Sequence, residues 1–253
     1  MNKKNDYSSL ASILKGASKI SVLTGSGISA ESGIPTFRGK EGLWKQFRAE
    51  ELATPQAFSR DPALVWEWYD WRRSIIASKQ PNSGHKVLAE WEEKFPDFCL
   101  ITQNIDGLHQ KAGSRNVIEL HGNIWKLRCS REGTLIENHL PHLEEIPPRC
   151  PQCGALMRPH VVWFGESLDV KLLENAVQRA SESDIMVVAG TSAVVYPAAA
   201  IPHSAREGGA KIIEINPEST PLTPYSDFSF RGPAGEVFPE INRHLSKAYS
   251  SRE

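Results

Sequence analysis

The chain has 253 residues, with 29 Lys and Arg against 30 Asp and Glu for a net charge of −1, a balance that excludes nucleic-acid binding through bulk charge. Hydrophobic residues at 40% and charged residues at 23% are ordinary for one large domain, or for a large domain with a small insert. No apolar stretch is long enough to span a bilayer, the polar start MNKKNDYSSLASILKG lacks a signal-peptide core, and four cysteines are too few for a disulfide scaffold, so a reducing, cytoplasmic setting without membrane contact is expected.

In chain order, the first apolar run is KISVLTG (19–25), which reads as a buried strand bounded by glycine. Two amphipathic segments follow, 63–78 and 83–95, and then a second buried run, FCLITQN (98–104). A shorter run, NVIELHG (116–122), reads as another strand. The stretch from 126 to 162 then breaks the pattern: it holds three of the four cysteines, three of the eight histidines and several prolines, without long periodicity. It reads as a small inserted module. After it come an amphipathic helix at 170–183 and two further buried runs, DIMVVAGT (184–191) and KIIEINP (211–217). Strand–helix alternation over this length predicts an α/β fold with a doubly wound, mostly parallel, Rossmann-like sheet.

The first strand runs into Gly25-Ser26-Gly27, with a third glycine at Gly33. Such a turn lets backbone N–H groups approach a diphosphate at a helix N-terminus. Its spacing is not Gly-x-Gly-x-x-Gly, so the loop points to a nucleotide without naming it. Ile34-Pro35-Thr36-Phe37-Arg38-Gly39 makes it too long for a simple strand–helix turn. The remaining polar motifs stand at strand ends, where open α/β sheets place their ligands: Gln103-Asn104-Ile105-Asp106, His121-Gly122, Gly190-Thr191-Ser192 and Asn216-Pro217-Glu218. Turn chemistry alone would also explain the Asn, Asp and Ser residues there.

The string GSGISAESGIPTFRG (25–39) resembles the signature of the sirtuins, NAD-dependent protein-lysine deacylases, and TQNID, HG and GTS follow in that family's order. The resemblance covers about residues 10–243. Ser26 stands where the family commonly has Ala. The resemblance implies a Rossmann-like NAD-binding part at about 10–125 and 163–245, a small zinc-type module at 126–162, and a helical segment at about 40–80 capping an acyl pocket. It further implies NAD contacts from Gly25, Ser26, Gly27, Ser29, Glu31, Thr36, Phe37, Arg38, Gln103, Asn104, Ile105, Asp106, Gly190, Thr191, Ser192, Asn216, Pro217, Glu218 and Ala234. Asn104 and Asp106 would line the nicotinamide end. Val162-Trp163-Phe164-Gly165-Glu166 resembles the segment that pairs with an acylated substrate peptide as an added strand.

The implied chemistry begins with attack by the acyl oxygen of the modified lysine on C1′ of the nicotinamide ribose, and nicotinamide leaves. His121, neutral near pH 7, is the expected general base on the ribose hydroxyls, with Asn104 beside it. The products are free lysine and 2′-O-acyl-ADP-ribose. A protein mono-ADP-ribosyltransferase and a non-catalytic NAD sensor are the rival expectations.

Cys150-Pro-Gln-Cys153 is a Cys-x-x-Cys pair, and Cys129 lies upstream with Glu132 at the position where a second pair would be completed. Sirtuins hold one structural zinc with four thiolates. Here Cys129, Cys150 and Cys153 remain, and Glu132, His139 or His142 would supply the fourth ligand, since carboxylate and imidazole both bind zinc. A degenerate module that folds without metal is the alternative. Cys99 lies in a strand and is expected to be inert.

Tyr69 and Arg72 stand at i and i+3 on one helix face. A guanidinium fork matches a carboxylate, although Arg72 could instead pair with Glu67 or Asp70. The pair resembles that of the sirtuin subgroup removing succinyl, malonyl or glutaryl groups, and small Ala53 and Ala57 agree with a longer acyl tail. Plain deacetylation is the alternative.

Overall fold

The structure, a computed structural model, describes residues 6–35, 43–44 and 47–250. Helix α1 (Tyr7–Gly16) leads into strand β1 (Lys19–Thr24), which turns directly into α2 (Ser26–Ala30). A two-strand ribbon, β2 (Leu43–Trp44) and β3 (Phe47–Arg48), precedes α3 (Ala49–Leu52), α4 (Pro55–Arg60) and α5 (Pro62–Ala77). The chain continues through α6 (Ser83–Lys94), β4 (Asp97–Thr102), α7 (Leu108–Ala112) and β5 (Val117–Glu119). Three strands follow: β6 (Gly122–Cys129), β7 (Leu135–Glu137) and β8 (Met157–Val161). The final stretch is α8 (Val170–Ser181), β9 (Ile185–Ala189), α9 (Ile201–Glu207), β10 (Lys211–Ile215), β11 (Phe228–Phe230) and α10 (Ala234–Ser250).

Six strands form one sheet in the order β11-β10-β9-β1-β4-β5, and every pairing in it is parallel. This is the predicted doubly wound α/β fold. Its strands are apolar throughout because both faces are covered. One face packs Leu10, Leu14, Trp91, Phe238 and Ile241 from α1, α6 and α10. The other packs Ala176, Ala180, Ile201 and Ala205 from α8 and α9. The chain leaves β1 toward β4 and returns to β9 on the other side, so the sheet's switch point lies between the C-terminal ends of β1 and β9.

Local chemistry sets the helix starts. The side chains of Asp6, Asp61, Asn82 and Asp169 accept N–H bonds in the first turns of α1, α5, α6 and α8, and Pro62 occupies the first turn of α5. The sequence reading did not identify α1, α9, β11 or α10. The run 116–122 also divides: Val117–Glu119 join the parallel sheet, while Gly122 opens a second, antiparallel sheet in the order β7-β6-β8. This second sheet ends β6 on Cys129, holds Cys150 and Cys153 in the stretch between β7 and β8, and shares a separate core with α3, α4 and α5, built from Leu52, Trp66, Tyr69, Ile124 and Trp163.

Candidate active site

At the switch point the loop after β1 lies directly against the loop after β9. Gly27 N–H donates to the Gly190 carbonyl at 2.8 Å, and Gly25 N–H to that of Ala189 at 3.1 Å. A Cβ on Gly27 would stand 2.7 Å from Gly190 Cα, so only glycine permits this approach. The Gln103 amide donates to Thr191 Oγ1 at 3.1 Å, and Thr191 Oγ1 accepts Ala193 N–H at 3.3 Å. Asn104 Nδ2 donates to the Gly25 carbonyl at 3.0 Å and to Ser29 Oγ at 3.2 Å. Ser29 in turn donates to Asp106 at 2.8 Å, and Asp106 accepts Leu108 N–H at 2.8 Å. Burial pushes the Asp106 carboxyl up from its ordinary pKa, against these two hydrogen bonds. Glu31 accepts Gly235 N–H at 2.6 Å, which ties the end of α2 to the first turn of α10 beside buried Ala234. Asn216 closes β10 by donating to the Glu218 carbonyl across Pro217. Ser26 opens α2 and Ser192 lies in the loop after β9, and Ile105 accepts Ile124 N–H at 2.9 Å. The expected contacts Thr36, Phe37 and Arg38 lie outside the described residues.

His121 occupies the turn between β5 and β6. Its Nδ1 is 2.9 Å from the Gln103 carbonyl. A carbonyl can only accept, so Nδ1 carries the hydrogen and Nε2 is the basic atom. Burial lowers the His121 pKa, with the Gln103 bond opposing, so the ring is neutral at pH 7. Val162 N–H donates to the His121 carbonyl at 3.0 Å, joining that turn to the end of β8.

The segment 162–166 then runs past α3 and α5. Phe164 N–H donates to the Ala53 carbonyl at 2.9 Å. Trp163 is buried and Phe164 is 49% exposed, so these two aromatics divide between core and surface. Trp163 Nε1–H donates to Tyr69 Oη at 2.9 Å. The Glu166 carboxylate takes both arms of Arg158, at 2.6 and 2.8 Å, as well as Trp163 N–H at 2.9 Å. Burial would raise Glu166, but Arg158 and the Trp163 N–H hold it below its ordinary pKa. Beyond Gly165, the ion pair ties the end of the segment back to β8, and the Trp163–Glu166 hydrogen bonds close the segment on itself.

Tyr69 is buried, and desolvation pushes its phenol up to about 12. The Arg72 guanidinium is 5.0 Å above the Trp68 ring. Its pKa is lowered from the ordinary value by burial, opposed by the neighbouring Tyr69 and Asp106. Asp70 is instead engaged by His142 Nδ1 at 2.7 Å and by Leu143 N–H at 2.7 Å. Ala53 and Ala57 are both buried in the same core.

The metal-type donors form a compact group. The ligand atoms of Cys129, Glu132, Cys150 and Cys153 all lie within 4.8 Å of one another, and the sulfurs of Cys129 and Cys153 are 3.5 Å apart. Zinc–sulfur bonds of about 2.3 Å at tetrahedral angles require thiolates about 3.8 Å apart, so the donor set fits one zinc ion. His139 and His142 are not in this group. His139 stacks over Trp125 with centroids 6.2 Å apart, and His142 is on Asp70.

The sequence reading missed the polar network beneath the site. Thr24 donates to Thr102 at 2.9 Å and accepts from His109 Nε2 at 2.9 Å, while His85 Nε2 reaches Ser29 at 3.5 Å. The one signal was His85 on the apolar face of α6, in register with Leu88 and Trp91. Arg73 and Arg158 were missed as well, since nothing local marks a buried arginine.

A sequence profile described as the Sir2 family matches residues 25–197. The chain is 57% identical over 233 residues to an NAD-dependent protein deacylase of Aquifex aeolicus (strain VF5), covering 92% of this chain and 98% of the relative. It is 50% identical over 244 residues to NAD-dependent protein deacylase 2 of Pyrobaculum aerophilum, covering 96% and 98%. Among solved structures, a crystal structure of a Sir2 homolog–NAD complex superposes with a TM-score of 0.90 at 50% identity, covering 95% of this chain and 94% of that one.

Proposed function

The chain belongs to the Sir2 family and is an NAD-dependent protein deacylase; we propose that its preferred substrates are protein lysines carrying acidic acyl groups, succinyl and malonyl before acetyl. The six-stranded part would carry NAD at the β1–β9 switch point, and the helices α3 to α5 would enclose the acyl tail. NAD, when bound, supplies an electrophilic C1′ and a departing nicotinamide. The backbone and small side chains of Gly25, Ser26, Gly27, Gly190, Thr191 and Ser192 suit the diphosphate. Gln103 and the Asn216 turn suit ribose hydroxyls, and Ala234 with Glu31 frames the adenine end.

Asn104 and Asp106 are held by Gly25, Ser29 and Leu108, and such fixed donors and acceptors orient a carboxamide without reorganisation. His121 would take a proton at Nε2 from a ribose hydroxyl while the Gln103 carbonyl keeps Nδ1 protonated. Segment 162–166, with its backbone along an edge beside His121, would align the peptide. Zinc, held by Cys129, Cys150 and Cys153, would brace the antiparallel sheet and take no part in the chemistry.

The acidic-acyl reading rests on the Tyr69–Trp163 bond. Because Trp163 donates to Tyr69 Oη, the phenol hydrogen is directed elsewhere, and at a pKa of about 12 it stays a donor. Arg72, one turn further on, is a desolvated cation that gains from an incoming carboxylate. One observation favours plain deacetylation as a second reading: the charge of Asp106 already acts on Arg72. The deciding experiment measures NAD consumption with acetyl-, malonyl- and succinyl-lysine forms of one peptide. Succinyl and malonyl forms should exceed acetyl at least tenfold in kcat/KM, and Arg72→Met should reverse that order. Equal rates on all three would overturn the acidic-acyl reading and leave deacetylation.

A further inference from the structure

The two halves of the cysteine cluster have the same backbone. In the first, Cys129 N–H donates to the Thr134 carbonyl at 2.9 Å, and Gly133 N–H donates back to the Cys129 carbonyl at 3.0 Å. In the second, Cys150 N–H donates to the Ala155 carbonyl at 2.7 Å, and Gly154 N–H to the Cys150 carbonyl at 2.8 Å. Each turn closes on a glycine in the left-handed region, Gly133 at φ +73° and Gly154 at φ +71°. Position by position, Cys129 corresponds to Cys150, and Glu132 corresponds to Cys153. The Glu132 N–H also points at Cys129 Sγ, 3.4 Å away, as expected of a turn wrapped around a thiolate.

Two matching turns present four side chains to one point, and only one of the four has changed chemistry. Glu132 is therefore not a stray surface acid. It stands where the geometry calls for a ligand, and its carboxylate lies within 4.8 Å of the three sulfurs. The alternatives are placed elsewhere: His142 is bound to Asp70, and His139 lies over Trp125. The three cysteines are buried or half-buried and Glu132 is exposed.

We propose that this chain holds its zinc in a mixed centre of three thiolates and the Glu132 carboxylate, with the oxygen vertex facing solvent. This rests on the reading that the cluster binds zinc. A carboxylate is a harder and more readily exchanged donor than a thiolate, so this vertex is where the ion is lost to competing ligands.

The test uses the full chain purified without chelator. Elemental analysis should give one zinc per chain, and X-ray absorption at the zinc edge should give three sulfurs and one oxygen as nearest neighbours. Glu132→Cys should convert the pattern to four sulfurs. Glu132→Ala should weaken zinc roughly tenfold or more in competition with a chelator dye, while His139→Ala and His142→Ala leave the affinity unchanged. One zinc per chain with a histidine nitrogen as fourth neighbour, or with no response to Glu132→Ala, overturns the Glu132 assignment and leaves the zinc reading standing. No zinc in the wild-type chain overturns both.

Discussion

Single side chains carry the sharpest expectations. His121 is fixed by one hydrogen bond to a backbone carbonyl and kept neutral by burial, so removing it should spare NAD binding and stop acyl transfer. His121→Ala should lower kcat at least about a hundredfold, as for loss of a general base, with calorimetric NAD affinity little changed. Retained turnover would sink the assignment. Tyr69 has a second duty invisible in Tyr-x-x-Arg: it accepts the Trp163 indole N–H inside the core. Tyr69→Phe should therefore cost about 1–3 kcal/mol of stability, the price of a buried unpaired donor, in addition to weakening acidic acyl groups. Urea midpoints separate the effects. A Tyr69→Phe chain as stable as the wild type would mean that Trp163 finds another acceptor.

Between elements, the decisive residue is Arg73. It is fully buried on α5, and its guanidinium donates to the carbonyls of Ile124, Asn138 and Leu140 and to Asn138 Oδ1, at 2.5–2.8 Å. It also lies 4.9 Å over Trp125. Desolvation lowers its pKa to about 10, so it remains charged at pH 7. One side chain thus fastens the antiparallel sheet to the helix bearing Tyr69 and Arg72. Arg73→Met should destabilise by roughly 3 kcal/mol or more, because three carbonyls lose a charged partner. Arg73→Lys should not rescue, since a single ammonium cannot span the fork. Denaturant unfolding of both variants decides it, and a loss below about 1 kcal/mol would show that the elements hold together without this contact.

At the scale of the whole molecule, acid should unfold the chain through its buried histidines. His85 is fully buried and its pKa is lowered to about 4 by desolvation, and His109 is held well below its ordinary value for the same reason. The rings face each other at 4.8 Å. Both bind protons more readily when unfolded, near pH 6.5, so their contribution is complete above that pH and is lost as pH falls toward 4. Asp106, whose pKa is raised, contributes with the opposite sign, and His121 and His160, lowered like the buried pair, add to it, so across the interval from 6.5 to 5 the comparison with His85→Gln isolates the share of His85. Unfolding free energies from urea titrations should fall across that interval, by an amount of order 2 kcal/mol, and His85→Gln should flatten part of the slope. A level profile would show that these rings take up protons at no cost.

The parallel sheet is legible in the sequence alone, because strands buried on both faces must be apolar throughout, and turn residues must end them. The runs 19–25, 98–104, 184–191 and 211–217 match β1, β4, β9 and β10 to within two residues. The glycine loops and strand-end amides were legible for the same reason, since open sheets put ligands there. Short β11 and α9 carried too little periodicity to separate from loop, whereas α10 has helical spacing in Val237, Phe238, Ile241 and Leu245 and was legible but left unread. The sequence left Glu132, His139 and His142 as equal candidates for one vertex, and only the matched turns around Gly133 and Gly154 brought Glu132 to the sulfurs. Likewise Asp70 was a local candidate partner for Arg72, but the fold sends Asp70 to His142 and sets Arg72 in the field of Asp106. Periodicity and turn chemistry act over a few residues and can be read along the chain. Which side chain faces which depends on contacts made across dozens of residues, and these exist only once the two sheets and α5 have packed together.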